Sequence, residues 1–600
     1  MNRNVKFTTM VFSVAAIVAL SHALAFAVQD GNGGWPASFD VSVAGDTVER
    51  IDFGPAAAGG YADFEVVGID AEASNTVLRI AYACHPDGLS EKGDFWRETS
   101  ARYLGRDIDL PILPANIDRY ELYRLDHLGH FRAKLLQGLV RYARFSLDSK
   151  RGRVEVRNFR LVNDKVHSEG ERAGWFKCSD ERFSRLWEAS VRTCELSAIP
   201  SYVATHVVPN VVTLPYLADG AKRDRLVWSG DLWFAERSYF YGFRPDAPYM
   251  RGSIDMLAAN QTPEGYIQAC PWPEQPPPGK GEWGPFGSDE FACWFVPVLQ
   301  DYYLHTADLA TVKRHYRKVV ALMSYLARHQ REDGIFEQRK ETCKHAAGLV
   351  FGGTSLHHRS YMNILLWKTF VDAAYLSDAV GEPEGNEWRT AAEKLAVSVR
   401  KSFWKTAGFF ALSEEDSSFG AEANALALAV KFATNDEAAR IMPQMKRIAH
   451  GKFQQLAARG RFEYGDAKGA LAMLEEHGWY KMLDKSWKGL QLTSECMVLH
   501  TKGWGDEAHP DTAIASLYSN YILGIVPLEP GFKRFLFNPT ACDLVDRASG
   551  EVPTPHGPIQ VAWWHENGRL VWDVKSPDAT DMRLSASLSP RQDRVSARKD

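Results

Sequence analysis

The sequence predicts a multidomain β–α–β chain, with one large helical domain enclosed by two β-rich ones. Three observations carry this reading. Apolar residues alternate with period two before about residue 172, recur every three or four positions from about 173 to 524, and alternate again near the C-terminus. Six hundred residues also exceed what one hydrophobic core sustains, so several domains are expected.

In the first region Leu78, Ile80 and Tyr82 alternate, as do Val154 and Val156, and Gly-rich breaks such as AAAGGY separate the runs. Such patterning predicts a sandwich-like β module. The period then changes. In SDEFACWFVPVLQDYYLHT the residues Phe291, Trp294, Phe295, Val298, Leu299, Tyr302 and Tyr303 mark one helical face, with Pro297 inside it as a kink signal. The stretches LATVKRHYRKVVALMSYLARHQR and HHRSYMNILLWKTFVDAAYLSDAVG behave alike, and Thr434 with Glu437 forms a capping box. About a dozen such segments precede Gly524, which suggests a ring of helical hairpins whose loops line one mouth. No fixed-period repeat is present, which excludes a regular solenoid of short repeats. Finally Ile559, Val561 and Trp563 alternate, Asn567-Gly568 supplies a turn, and Leu570, Trp572 and Val574 alternate, the strongest hairpin signal in the chain. The polar last dozen residues are expected to be disordered.

Composition narrows the class. The 45% apolar and 24% charged residues are those of an ordinary globular protein, and a net charge of −5 argues against a nucleic-acid partner. Eighteen tryptophans supply rings that pack cores and also stack on sugars. Arg3 and Lys6, an apolar run from Val11 to Leu20, and Ala25-Phe26-Ala27 predict a cleaved export signal over residues 1–27. This places the mature protein outside the cytoplasm, secreted or periplasmic, with no membrane attachment after cleavage. Eight cysteines lack metal-ligand spacing, so neither a metal nor a cofactor is expected, and any disulfides cannot be paired from spacing.

Three polar clusters are candidates for chemistry. DGAKRDRLVWSGD holds Asp219, Asp224 and Asp231 with Arg223 and Trp228, immediately before an expected helix. Asp231 stands where it would cap that helix. A cation beside Asp224 would keep it ionised, whereas a general acid needs a raised pKa. The second cluster holds Glu495 after Thr493-Ser494, then Asp506, Glu507 and His509; the bland reading of Glu495 is a capping acid. The third is Trp283, Asp289, Glu290 and Trp294, where Ser288-Asp289-Glu290 also reads as an ordinary helix start. His357-His358 lacks carboxylate company, and no nucleophile elbow, P-loop or dinucleotide fingerprint occurs. Two distant carboxylates at one mouth are what glycoside hydrolysis requires.

Taken in order, GWFKCSDERFSRLWEASVRT, DGAKRDRLVWSGD, DYYLHTADLATVK, GWYKMLDKSWKGLQLTSE and YILGIVPLEPGFKRFLFNP resemble the α-L-rhamnosidases of glycoside hydrolase family 78 and close relatives. The resemblance runs from RIDFG (50–54) through the C-terminal hairpin. It implies a central (α/α)6 six-hairpin barrel at 173–527, with β-sandwich domains at 28–172 and 528–600. It further implies exo-acting, inverting release of terminal α-L-rhamnose from a carbohydrate, with Asp224 as general acid and Glu495 as general base. Asp219, Asp231 and Arg223 would contact sugar hydroxyls; Trp228, Trp283, Trp294, Glu290 and His509 complete the expected substrate site. One departure stands out. The family commonly has glutamate where this chain has Asp224, which sets the proton donor about 1.5 Å further back. Glu236 and Glu290 are therefore alternative donors. A relative cleaving another terminal sugar, a polysaccharide lyase on a helical toroid and a non-catalytic sugar-binding relative are the competing classes. Oligomeric state is left open.

Overall fold

A computed structural model describes residues 25–26, 38–54, 58–94, 102–103, 106–107, 119–133, 137–162, 172–199, 215–222, 227–269, 288–337, 358–446, 448, 451–485, 493, 514–588 and 597–599. Two compact units emerge, the first built from the N-terminal strands up to Val162 and the second from the helices and C-terminal strands. Of the expected export signal, only Ala25 and Phe26 lie among the described residues.

In the first unit β1 (Phe39–Ala44), β2 (Glu49–Asp52), β3 (Ala58–Ile69), β4 (Val77–Ala83), β5 (Tyr120–Arg124), β6 (Gly129–Arg132), β7 (Tyr142–Leu147) and β8 (Arg153–Val162) form two sheets. One runs β2-β7-β4-β5; the other joins β6, β3, β8 and β1, and every one of these pairs is antiparallel. The predicted alternation is what buries Leu78 and Ile80 on one sheet and Val154 and Val156 on the other. Phe145 meets Phe159 of the second sheet edge-on at 4.8 Å, so aromatic rings fill the space between the sheets.

The second unit opens with β9 (Trp175–Cys178). Its described helices are α1 (Glu181–Ser197), α2 (Ser229–Gly242), α3 (Pro248–Ala259), α4 (Asp289–Thr306), α5 (Leu309–Arg328), α6 (Arg359–Val380), α7 (Gly385–Phe403), α8 (Ala421–Ala429), α9 (Asn435–Ile441), α10 (Gly451–Glu463), α11 (Ala467–Glu476), α12 (Trp479–Lys485) and α13 (Ala515–Tyr518). They fall into two kinds. Helix α7 buries Trp388, Ala392, Leu395, Val399 and Phe403, one stripe at helical spacing, and leaves most of its other residues exposed or half-buried. Helices α2, α4, α8 and α10 bury almost every residue, so they are surrounded by protein. These buried helices pack side by side, α2 on α4, α4 on α6, α6 on α8 and α8 on α10.

Pro297, read as a kink signal, lies inside α4, which runs from Asp289 to Thr306. Proline removes the N–H that the Cys293 carbonyl would accept from; the Thr369 hydroxyl of α6, which donates to the Leu365 carbonyl at 2.9 Å, also lies 3.4 Å from the Cys293 carbonyl. The Thr434–Glu437 capping box forms as expected.

The C-terminal strands are β10 (Ile525–Pro527), β11 (Arg534–Phe537), β12 (Arg547–Val552), β13 (Ile559–Glu566), β14 (Arg569–Ser576), β15 (Asp581–Leu584) and β16 (Ala597–Lys599). The expected hairpin joins β13 and β14, with Asn567 and Gly568 both at positive φ (51° and 75°), as a tight two-residue turn demands. Two details escape sequence reading. Strand β9, ahead of the first helix, pairs with β12 and so belongs to the C-terminal sheet. Ala597–Lys599, expected to be disordered, pairs in parallel with Val574–Ser576. Cys178, Cys194, Cys293 and Cys542 are free thiols.

Candidate active site

The residues of interest gather where the buried helices begin. Helix α2 starts at Ser229, and the start is tied down from two sides. Its hydroxyl donates to the Phe291 carbonyl of α4 at 2.6 Å, and its backbone N–H donates to the Ala269 carbonyl at 3.0 Å. The next residue must be glycine, because a Cβ on Gly230 would lie 2.8 Å from the Phe291 ring. The Ser-Gly of WSGD is therefore the contact that brings the first turns of α2 and α4 together.

That contact places the acids. Asp231 was expected to cap α2, but the N-cap is Trp228, which makes no side-chain capping bond, and Asp231 falls in the first turn. There the positive end of the helix favours a carboxylate. Its Oδ1 accepts from Lys452 Nζ at 3.3 Å, a bridge to the first turn of α10. On α4 the expected helix start is real: the Ser288 hydroxyl accepts from the Phe291 N–H at 3.3 Å. Both acids that follow are nonetheless buried. Asp289 accepts from the Tyr325 hydroxyl at 3.3 Å and Glu290 from the Tyr361 hydroxyl at 3.0 Å. Burial pushes the Glu290 carboxyl up to about 7, while Lys452, Tyr361 and Trp294 pull it back and Asp231 adds a smaller upward push. A buried carboxyl raised to about 7 is of the kind suited to acid–base work.

The segment before α2 is anchored as well. Tyr216–Leu217 pairs with Ala198–Ile199, and the Leu217 N–H donates to Ser253 Oγ at 3.0 Å. Asp219 and Lys222 just beyond are 5% and 1% exposed. Trp228 is almost fully buried and meets Phe291 edge-on at 5.8 Å. Trp294, expected to shape the pocket, is fully buried and stacks on Trp233 at 4.3 Å, so that ring is engaged by protein rather than open to a sugar.

Arg223, Asp224, Trp283, Glu495 and His509 lie outside the described residues. The flanks of Glu495 are located, however. The Thr493 N–H donates to Thr193 Oγ1 of α1 at 2.9 Å, and the Ile514 N–H donates to Ser190 Oγ of the same helix at 3.0 Å.

Glu236, weighed as an alternative proton donor, sits in the interior. It lies five residues along α2 from Asp231, about 7.5 Å down the axis, and is completely buried. Burial and the neighbouring Asp301 raise its carboxyl well above the usual range. Around it Arg237 pairs with Asp301 and lies over the Trp233 ring at 4.2 Å, and Lys368 pairs with Asp372 at 2.5 Å. This network joins α2, α4 and α6. Sequence reading missed Lys452, Tyr361 and this network. For Lys452 the available signal was a lysine at a helix start, where the dipole disfavours a cation. Among the described residues no group of three His, Cys, Asp or Glu is placed to hold a metal ion.

Comparison with known proteins fits this arrangement. The model of the bacterial alpha-L-rhamnosidase 6 hairpin glycosidase domain matches residues 171–457, and that of the bacterial alpha-L-rhamnosidase C-terminal domain matches 524–599, together more than half of the chain. A search of curated proteins finds no matching sequence. Among solved structures the chain is similar to the GH78 family rhamnosidase of Bacillus sp. GL1, with TM-score 0.67 and 15% identity over 90% of this chain and 53% of that one. It is similar to the α-L-rhamnosidase of Dictyoglomus thermophilum, with TM-score 0.64 and 14% identity over 93% of this chain and 60% of that one. A rhamnosidase from Klebsiella oxytoca with rhamnose bound gives TM-score 0.57 and 15% identity, covering 80% of this chain and 88% of that one. The chain thus spans between half and three-fifths of the first two. Buried helices whose first turns collect acids, a β domain closing on the strand before them, and these two family matches agree: the chain belongs to the bacterial α-L-rhamnosidase family, with a six-hairpin glycosidase domain and the family's C-terminal β domain.

Proposed function

We propose that the protein is an exported, exo-acting α-L-rhamnosidase that releases terminal rhamnose with inversion. In this reading the buried helices close into an (α/α)6 barrel over 173–527, between β-sandwich domains at 28–172 and 528–600. Asp224 protonates the leaving oxygen and Glu495 activates water on the opposite face. Asp219, Asp231 and Arg223 bind sugar hydroxyls, with Trp228, Trp283, Glu290 and His509 around them. Residues 1–27 direct export, and no metal or cofactor takes part.

One observation carries the reading. Asp231, which ends the DGAKRDRLVWSGD motif, occupies the first turn of α2 against Lys452 and near Glu290, inside a domain that matches the six-hairpin glycosidases. The relative from Streptomyces avermitilis, solved with L-rhamnose, supports the sugar class. The test is hydrolysis of p-nitrophenyl α-L-rhamnoside and competing aryl glycosides, with proton NMR of the first-formed anomer and a chelator control. Asp224→Asn and Glu495→Gln are each expected to lower kcat by about 10²–10⁴-fold, with chelator without effect. Wild-type rates in both variants would overturn the assignment of acid and base, and a retained anomer would overturn inversion.

A further inference from the structure

We propose that Lys452 is a positioning residue for sugar recognition, its ammonium holding the Asp231 carboxylate ionised and in one orientation to accept hydrogen bonds from hydroxyls of the terminal sugar. This rests on the hydrolase reading above and deepens it.

The position of Lys452 is electrostatically costly. It is the second residue of α10, where the helix presents its positive end, and it is 4% exposed. A lysine that served only to fill space there would be better replaced by an apolar side chain. The groups around the ammonium are ones that attract a cation. Asp231 Oδ1 lies 3.3 Å away, and the Phe234, Phe291 and Phe453 ring centroids lie 6.0, 5.6 and 5.8 Å away. Glu290 is near enough to feel the ammonium, although burial raises its carboxyl to about 7. The direct ion pair at this place is Lys452 with Asp231. Three helix starts, those of α2, α4 and α10, meet at this couple. Asp231 belongs to the motif that the family resemblance assigns to hydroxyl contacts, whereas Lys452 stands more than two hundred residues later and outside every sequence motif.

A structural clip between α2 and α10 would produce the same distance, so the test must separate the two. Lys452→Met keeps the stem and removes the charge; Lys452→Arg keeps the charge. For p-nitrophenyl α-L-rhamnoside, Lys452→Met is expected to raise KM about tenfold or more with kcat within about threefold of wild type. Lys452→Arg is expected to recover most of the loss, and L-rhamnose affinity by calorimetry should follow KM. The double variant Asp231→Asn/Lys452→Met should have the KM of Asp231→Asn alone, since the lysine acts through that carboxylate; this arm also serves if Lys452→Met by itself does not fold. An unchanged KM and rhamnose affinity in Lys452→Met, or additive effects in the double variant, would overturn the role of Lys452 and leave the hydrolase reading intact. A wild-type chain that neither hydrolyses the glycoside nor binds L-rhamnose would overturn both.

Discussion

Replacing Glu290 by glutamine should change how stability depends on pH. Burial lifts the Glu290 carboxyl from 4.5 to about 7. The folded chain therefore binds this proton more tightly than the unfolded chain, and between those two pH values it carries more of it. Stability from this group is fully present below about pH 4.5 and is lost as pH rises through about 7. The interval corresponds to about 3 kcal/mol, at about 1.4 kcal/mol per pH unit. Glutamine stays neutral throughout, and its amide oxygen can still accept from the Tyr361 hydroxyl. Wild type and Glu290→Gln should thus differ little at pH 4, while at pH 8 the variant should be more stable by up to about 3 kcal/mol. Urea unfolding at pH 4, 5.5, 7 and 8 measures this directly. A difference between the two proteins that stays constant across that range would refute the buried, proton-bearing Glu290.

Two further outcomes follow from the packing. Arg237→Met leaves Asp301 buried beside Glu236 without its nearest cation, and unfolding should show a loss of about 3–5 kcal/mol; a loss below about 1 kcal/mol would mean that water reaches this network. Gly230→Ala pushes a methyl into the Phe291 ring, which should cost about 1–3 kcal/mol in denaturant unfolding and weaken substrate binding by separating the starts of α2 and α4.

Much of this molecule was legible in the chain, and the legible parts share a cause. Strand β8, helix α7 and the Asn567-Gly568 hairpin each have one face on the core and one toward water, so burial writes itself into the sequence as a period. The family motifs were legible too, and from them the six-hairpin glycosidase domain. Where an element is surrounded by protein the period disappears. Helices α2 and α8 are buried on all sides, and their sequences say only that they are internal, not which neighbour each side meets. Pro297 read as a kink signal, and local spacing does not show that the Thr369 hydroxyl, some seventy positions away, lies 3.4 Å from the carbonyl that the proline leaves without its backbone donor.

The sequence by itself determined the order of domains, the edges of the amphipathic elements and the motif that holds Asp219, Asp224 and Asp231, because these depend on local spacing and on residue chemistry. Tertiary structure alone decided that Asp231 faces Lys452 rather than capping its helix, that Glu236 belongs to an interior charge network and Glu290 to the helix starts, and that Trp175–Cys178 pairs with the C-terminal sheet. Each of these depends on which distant residue supplies the neighbouring charge or backbone, and spacing along one chain carries no record of that.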